Sequence, residues 1–131
     1  MRHVRTLRAP VSAAPLSQAV RSGGFVFTAG IVGVDPGLGT LAEGPEEQMR
    51  QAIANLNAIL VEAGSALDRI VKVTLFIQDM RDYGVINEVY EQSFAAPYPA
   101  RTAVQAVPPK PDILVEIEAV AEVGTDHGQA T

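Results

Sequence analysis

The chain has 131 residues, 47% of them hydrophobic and 19% charged, a size and balance that suit one domain with a buried core and exclude a multidomain machine. Fifteen Asp and Glu against ten Lys and Arg leave a formal charge of −5, a poor balance for following a phosphate backbone. The absence of cysteine excludes disulfides, thiolate chemistry and Cys-based zinc or iron–sulfur centres.

Taken from the front, Arg2, Arg5 and Arg8 form the one basic cluster; they sit among Val4 and Leu7 near the front of the sequence, which reads as a solvated first strand over 4–7 or a frayed terminus rather than a nucleic-acid arm. Nothing before Pro10 forms the continuous apolar stretch of a signal peptide, and no later run approaches the ~18 residues of a spanning helix, so a cytoplasmic protein without membrane contact is expected. A Ser22-Gly23-Gly24 turn introduces a strand over 25–29, with further N-terminal strands allowed by the pattern. Gly37-Leu38-Gly39-Thr40-Leu41-Ala42 matches a loose G-x-G-x-x-A pattern. No helix opens there, because Gly44-Pro45 marks the helix start later, and a hairpin loop is the better reading.

Over 45–63, Met49, Ile53, Leu56 and Leu60 recur at helical spacing, with Glu47, Gln51 and Glu62 opposite. Pro45 suits the first turn, Glu46 and Glu47 favour the positive end of the helix dipole, and Gly64 is a natural stop. Ile70–Ile77 alternates as a central strand, with Val71, Val73, Leu75 and Ile77 on one face and Lys72, Thr74 and Phe76 on the other. A second helix is predicted over 82–94, its apolar stripe made of Tyr83, Ile86, Val89, Tyr90 and Phe94. Pro97 and Pro99 break the chain, and strands follow over 102–107 and 113–123.

This order implies an α+β domain over 1–124 with both helices on one face of a mixed sheet, and a disordered tail over 125–131. The other face is then bare. In the last strand it carries Leu114, Glu116, Glu118, Val120 and Glu122, too apolar for free solvent and too charged for a monomer core. A homo-oligomer that covers this face, with sites at its seams, is the expectation.

The two histidines, His3 and His127, lie at opposite ends of the chain, so neither a His-based metal centre nor a Ser-His-Asp triad is expected. Arg101 opens a strand directly after Tyr98-Pro99-Ala100. A guanidinium held there is a carboxylate receptor, because its fork matches two carboxylate oxygens and keeps its charge; a surface ion pair is the plainer alternative. Glu116 and Glu118 share the bare face, where burial at a seam would raise a carboxyl pKa and suit it to acid/base work; a solvated strand is the alternative. Asn87 and Tyr90 form an Asn-x-x-Tyr pair on the second helix, with Tyr90 read as core and Asn87 able to order a loop.

These residues together resemble the RidA (YjgF/YER057c/UK114) family of reactive-intermediate deaminases, from Ala9-Pro10 to Val123. The resemblance rests on Ser17-Gln18-Ala19-Val20, Ala29-Gly30, Gln48, Asn55, Val71-Lys72-Val73-Thr74 leading to Asp79-Met80, Asn87-x-x-Tyr90, Pro99-Ala100-Arg101-Thr102, and Val115-Glu116-Ile117-Glu118-Ala119. It implies a chorismate-mutase-like (YjgF/L-PSP) fold with a mixed six-stranded sheet, two helices on one face, and a homotrimer with sites between subunits. It also implies hydrolysis of 2-aminoacrylate- and 2-iminobutyrate-type enamines and imines to 2-keto acids and ammonia, with no cofactor and no metal.

On the same resemblance, Arg101 would grip the substrate carboxylate and Glu116 would activate the water. Ala29, Gly30, Ala103, Asn87 and Leu16 would line the pocket. The family's Gly-Pro-Tyr reads Ala14-Pro15-Leu16 here, its Ser-Gly-Gln reads Ala29-Gly30-Ile31, and a frequent cysteine two residues after the arginine is Ala103. A drier pocket follows, suited to larger or more apolar side chains. The alternatives are a non-catalytic relative that binds small carboxylates and a pathway-specific deaminase of aromatic or pyrimidine catabolism. A ribonuclease or translation inhibitor, reported for some relatives, fits poorly with the charge and with no placed histidine.

Overall fold

The computed structural model describes residues 1–124; the tail expected over 125–131 lies outside them. Seven strands and two helices follow the order β1 (Arg2–Val4), β2 (Ala19–Ser22), β3 (Phe25–Thr28), β4 (Ile31–Val32), α1 (Gly44–Glu62), β5 (Ile70–Ile77), α2 (Tyr83–Ser93), β6 (Ala100–Gln105) and β7 (Val115–Glu122). Six strands run β1-β2-β3-β7-β5-β6 across the sheet, and the two-residue β4 pairs with β7 beside β3. Every pairing is antiparallel except β5 with β6, the pair that α2 connects as a crossover.

The period-two pattern of the long strands sets which face is buried. Val73, Leu75 and Ile77 of β5 and Val115, Ile117, Ala119 and Ala121 of β7 are buried, and they meet Met49, Leu56, Ile59 and Leu60 of α1 and Ile86 and Val89 of α2. The opposite face carries Glu116, Glu118 and Val120, together with Phe76, Phe25 and Phe27 from neighbouring strands. Phe25, Phe27 and Val104 are exposed there. The helices therefore cover one face, as their stripes imply.

Three buried polar side chains tie loop backbone to this core, satisfying groups that burial would otherwise leave unpaired. Gln18 accepts from the Thr6 N–H at 2.7 Å and donates to the carbonyls of Thr6 and Pro10. Asn55 donates to the carbonyls of Val32 and Val34 at 2.9 and 2.8 Å. Gln48 accepts from the Leu114 N–H at 2.8 Å and donates to the Asp112 carbonyl. At Gly33 the chain passes directly over α1, where an added Cβ would lie 2.7 Å from the Gln48 Cα.

The structure departs from the sequence expectations at element edges, and each departure has a local cause. β1 ends at Val4 because Gln18 takes the Thr6 N–H that strand pairing would use. β7 begins at Val115 because Gln48 holds Leu114. β6 starts two residues early, at Ala100, which puts Arg101 inside a paired strand. A register shift between Ile70 and Lys72 moves Ile70 into the core and leaves Val71 exposed, against the simple alternation. Tyr83 opens α2 on the surface instead of joining its core stripe.

Candidate functional site

Arg101 stands on the edge strand β6, opposite Val73 and therefore on the face covered by helices. α2 passes above it, and residues 83, 87 and 90 fall at offsets of four and three, so one stripe of the helix faces the guanidinium. Asn87 Oδ1 accepts from Nη1 at 2.7 Å, Tyr83 Oη accepts from Nη2 at 2.9 Å, and the Tyr90 ring lies 4.8 Å from Cζ. The two hydrogen bonds and the cation–π contact set the plane of the fork. Its remaining N–H groups have no partner among the described residues. The Tyr90 ring is itself packed against Phe94, the two tilted at 33° with centroids 4.4 Å apart, and its buried hydroxyl has no partner among the described residues.

Two open grooves flank this guanidinium. One, of about 360 Å³, is lined by Met80, Tyr83, Arg101 and Ala103. The other, of about 310 Å³, runs past Asn87, Tyr90, Glu91, Tyr98 and Pro99. The Asn87 amide first and the Arg101 charge second hold the Tyr83 phenol below the usual tyrosine pKa, while burial pushes the Tyr90 phenol up. A guanidinium fork held in this way beside an open groove has the geometry to take a carboxylate.

A second cluster lies elsewhere on the sheet. Phe27 pairs with Val120 and Ile31 with Ile117, so four steps along β3 and β4 span three along β7, a bulge at Ala29-Gly30. Glu116 lies against this bulge: a Cβ on Gly30 would overlap its carboxylate, with Cδ at 2.8 Å. Only glycine lets backbone approach that carboxylate so closely. Burial first, and then the neighbouring Glu118 charge, raises the Glu116 pKa above the ordinary carboxylate value. The Gln18 carbonyl accepts from the Ala29 N–H at 2.9 Å, which brings Leu16, two residues earlier and exposed, to the same end of the sheet.

Within one chain, Arg101, Asn87 and Ala103 form one group, and Leu16, Ala29, Gly30 and Glu116 form another. β5 separates β6 from β7, and Glu116 is level with Phe76 and Val104, three residues along from Arg101. Ordinary strand spacings place the two Cα atoms roughly 14 Å apart, with the side chains on opposite faces. Sequence reasoning missed Tyr83, which it assigned to the core; its i, i+4 relation to Asn87 was the signal available. Among the described residues no cluster of three or more His, Asp or Glu could hold a metal ion, and His3 instead shares a 2.8 Å hydrogen bond with Ser17. No helix is long and apolar enough to cross a membrane among these residues.

Comparison with known proteins places this geometry in a group. Residues 6–123 match the family model described as Endoribonuclease L-PSP. A RutC family protein of Pyrococcus abyssi is 42% identical over 117 residues, 88% of this chain and 92% of that one. The structure of RidA from the Antarctic bacterium Psychrobacter sp. PAMC 21119 superposes with a TM-score of 0.90 at 36% identity, covering 94% of this chain and all of that one, 100%. TdcF of Escherichia coli K12, whose name assigns it provisionally to the reactive intermediate deaminases, is 40% identical over 121 residues, 90% of this chain and 94% of its own. The E. coli TdcF structure with bound serine superposes with a TM-score of 0.88 over 95% of this chain and 100% of that one.

Proposed function

The chain belongs to the RidA family, whose model carries the description Endoribonuclease L-PSP, and from that premise we propose that it is an enamine and imine deaminase. Its substrates are small enamino and imino acids of the 2-aminoacrylate and 2-iminobutyrate type, the enamines reacting as their imine tautomers, and its products are 2-keto acids and ammonia. The observation that carries this reading is the Arg101 fork, held by Asn87 and Tyr83 over Tyr90 with donors open to a groove. Such a receptor fixes the carboxylate next to the C=N carbon and so orients that carbon for attack. The serine bound to E. coli TdcF supports a ligand of the same class.

In the proposed reaction, water adds to the C=N carbon. A carboxylate takes one water proton and passes it to the imine nitrogen, giving a carbinolamine. It then takes the hydroxyl proton and passes that to the amine, and the C–N bond breaks as the C=O forms, releasing ammonia and leaving the keto acid. Glu116 is the group for this work, since its raised pKa brings it closer to neutral pH. Because Arg101 and Glu116 lie on opposite faces of one sheet, the proposal pairs Arg101 of one copy with Glu116 of the next, in a homotrimer whose subunits cover the bare face. Gly30 and Ala103 line the seam through their backbone, and Leu16, Ala29 and Ala103 make it apolar, favouring imines with larger apolar side chains.

The reading is tested by adding the protein to a threonine dehydratase or amino-acid oxidase reaction and following 2-keto acid release. Acceleration is expected, and no acceleration across several amino-acid-derived imines would contradict it. Gly30→Ala is expected to lower kcat roughly 10- to 100-fold by swinging the Glu116 carboxylate aside, a misplacement of about an ångström. Its melting temperature should change little, because the crowded atom is the free end of a side chain. Unchanged kcat would show that the Gly30–Glu116 contact does not matter to turnover.

A further inference from the structure

We propose that Tyr83 is a positioning residue for the substrate carboxylate: its hydroxyl holds one Nη of Arg101 so that the free side of the guanidinium faces the groove lined by Met80, Tyr83 and Ala103. The proposal rests on the reading of Arg101 as the carboxylate receptor.

Asn87 restrains Nη1 alone, and a guanidinium held at one nitrogen above an aromatic ring still pivots in the plane of its fork. The bond from Nη2 to Tyr83 is the second fixed point, and the Tyr83 ring also lies 5.7 Å from Cζ. Tyr83 is itself anchored. It follows a 3-10 turn, Met80–Asp82, in which the Met80 N–H donates to Gln105 Oε1 at 3.1 Å and the Arg81 N–H donates to Asp79 Oδ1 at 3.0 Å. Gln105 ends the same strand that carries Arg101, so the tyrosine and the arginine are set by one piece of backbone. The 38% exposure of Tyr83 argues against a packing role for the hydroxyl, and its place in the groove wall gives it a ligand-facing one.

The test uses Tyr83→Phe, which removes only the oxygen, beside wild type and Arg101→Ala. Benzoate binding is measured by calorimetry, and deamination kinetics are measured on the same preparations. The expected result is a benzoate Kd raised roughly 3- to 10-fold in Tyr83→Phe, the net scale of one ordinary hydrogen bond, since water replaces the lost oxygen at this part-exposed site. KM should rise by the same factor and kcat stay within about twofold, because the grip on the carboxylate is common to substrate and transition state. A Kd within about twofold of wild type, while Arg101→Ala has lost binding, would overturn the proposal and leave the receptor standing. A fall in kcat at constant KM would also overturn it. Wild-type benzoate binding by Arg101→Ala would remove the receptor and the role of Tyr83 together. The expected Kd changes without any turnover would uphold Tyr83 and overturn only the deaminase.

Discussion

Arg101→Ala is expected to lower kcat/KM for 2-iminobutyrate by about 10²–10³-fold and to remove saturable benzoate binding, the scale seen when one partner of a hydrogen-bonded charge pair is truncated. Asn87 and Tyr83 each hold one nitrogen of the fork and Tyr90 supports its plane, so the ordering of this long side chain is achieved before any ligand arrives. Lysine would keep the charge without the fork, and Arg101→Lys should recover only a small part of the loss. The fold should survive the change, because the residue is on an edge strand and the groups it leaves, Asn87 and Tyr83, face open grooves where water replaces it. Coupled keto-acid release and benzoate calorimetry read the two effects separately. Full activity in Arg101→Ala would mean that the substrate carboxylate is held elsewhere.

Glu116→Gln is expected to cut kcat by ~10²–10⁴-fold, the usual range for losing a general acid/base, while benzoate still binds. Its pH signature follows from the raised pKa. The ionised form is the base, so wild-type activity should rise with pH along a limb that lies above the ordinary carboxylate value of 4.5, and the remaining activity of Glu116→Gln should lack that limb. Stability has the opposite sign. A carboxyl whose pKa is raised by folding contributes fully below its unfolded value, and that contribution is lost as pH rises through the folded value. Glu116→Gln should therefore melt higher than wild type near pH 7 and close to it near pH 4. Thermal melts across that range check the direction. A variant less stable than wild type at neutral pH would show that the glutamate is held by a favourable partner instead of by burial.

Much of this was legible in the residues, and the misses have physical causes. The alternation of Ile70–Ile77 and the i, i+3, i+4 spacing from Met49 to Leu60 depend on burial of one face, which sequence records directly. The two-residue β4 is too short to leave a period, and the bulge at Ala29-Gly30 is defined by its pairing with β7, a contact between distant parts of the chain. Arg101 and Glu116 stood out by residue type and context. Their placement on opposite faces depends on the shared register of β6, β5 and β7, which no single strand encodes. Tyr83 resembled core because an aromatic at a stripe position usually packs inward; at the first turn of α2 the stripe already points past the sheet edge, toward the arginine.

The central claim is that one site takes its arginine from one copy and its glutamate from another. Co-expression of differently tagged Arg101→Ala and Glu116→Gln chains, with purification through both tags, tests it most directly. In a mixed trimer one seam joins an intact Arg101 to an intact Glu116, so activity on 2-iminobutyrate should return to about a third of wild type although each parent is nearly inactive. Mixed trimers as inactive as their parents would contradict the account and place both groups of each site on a single chain.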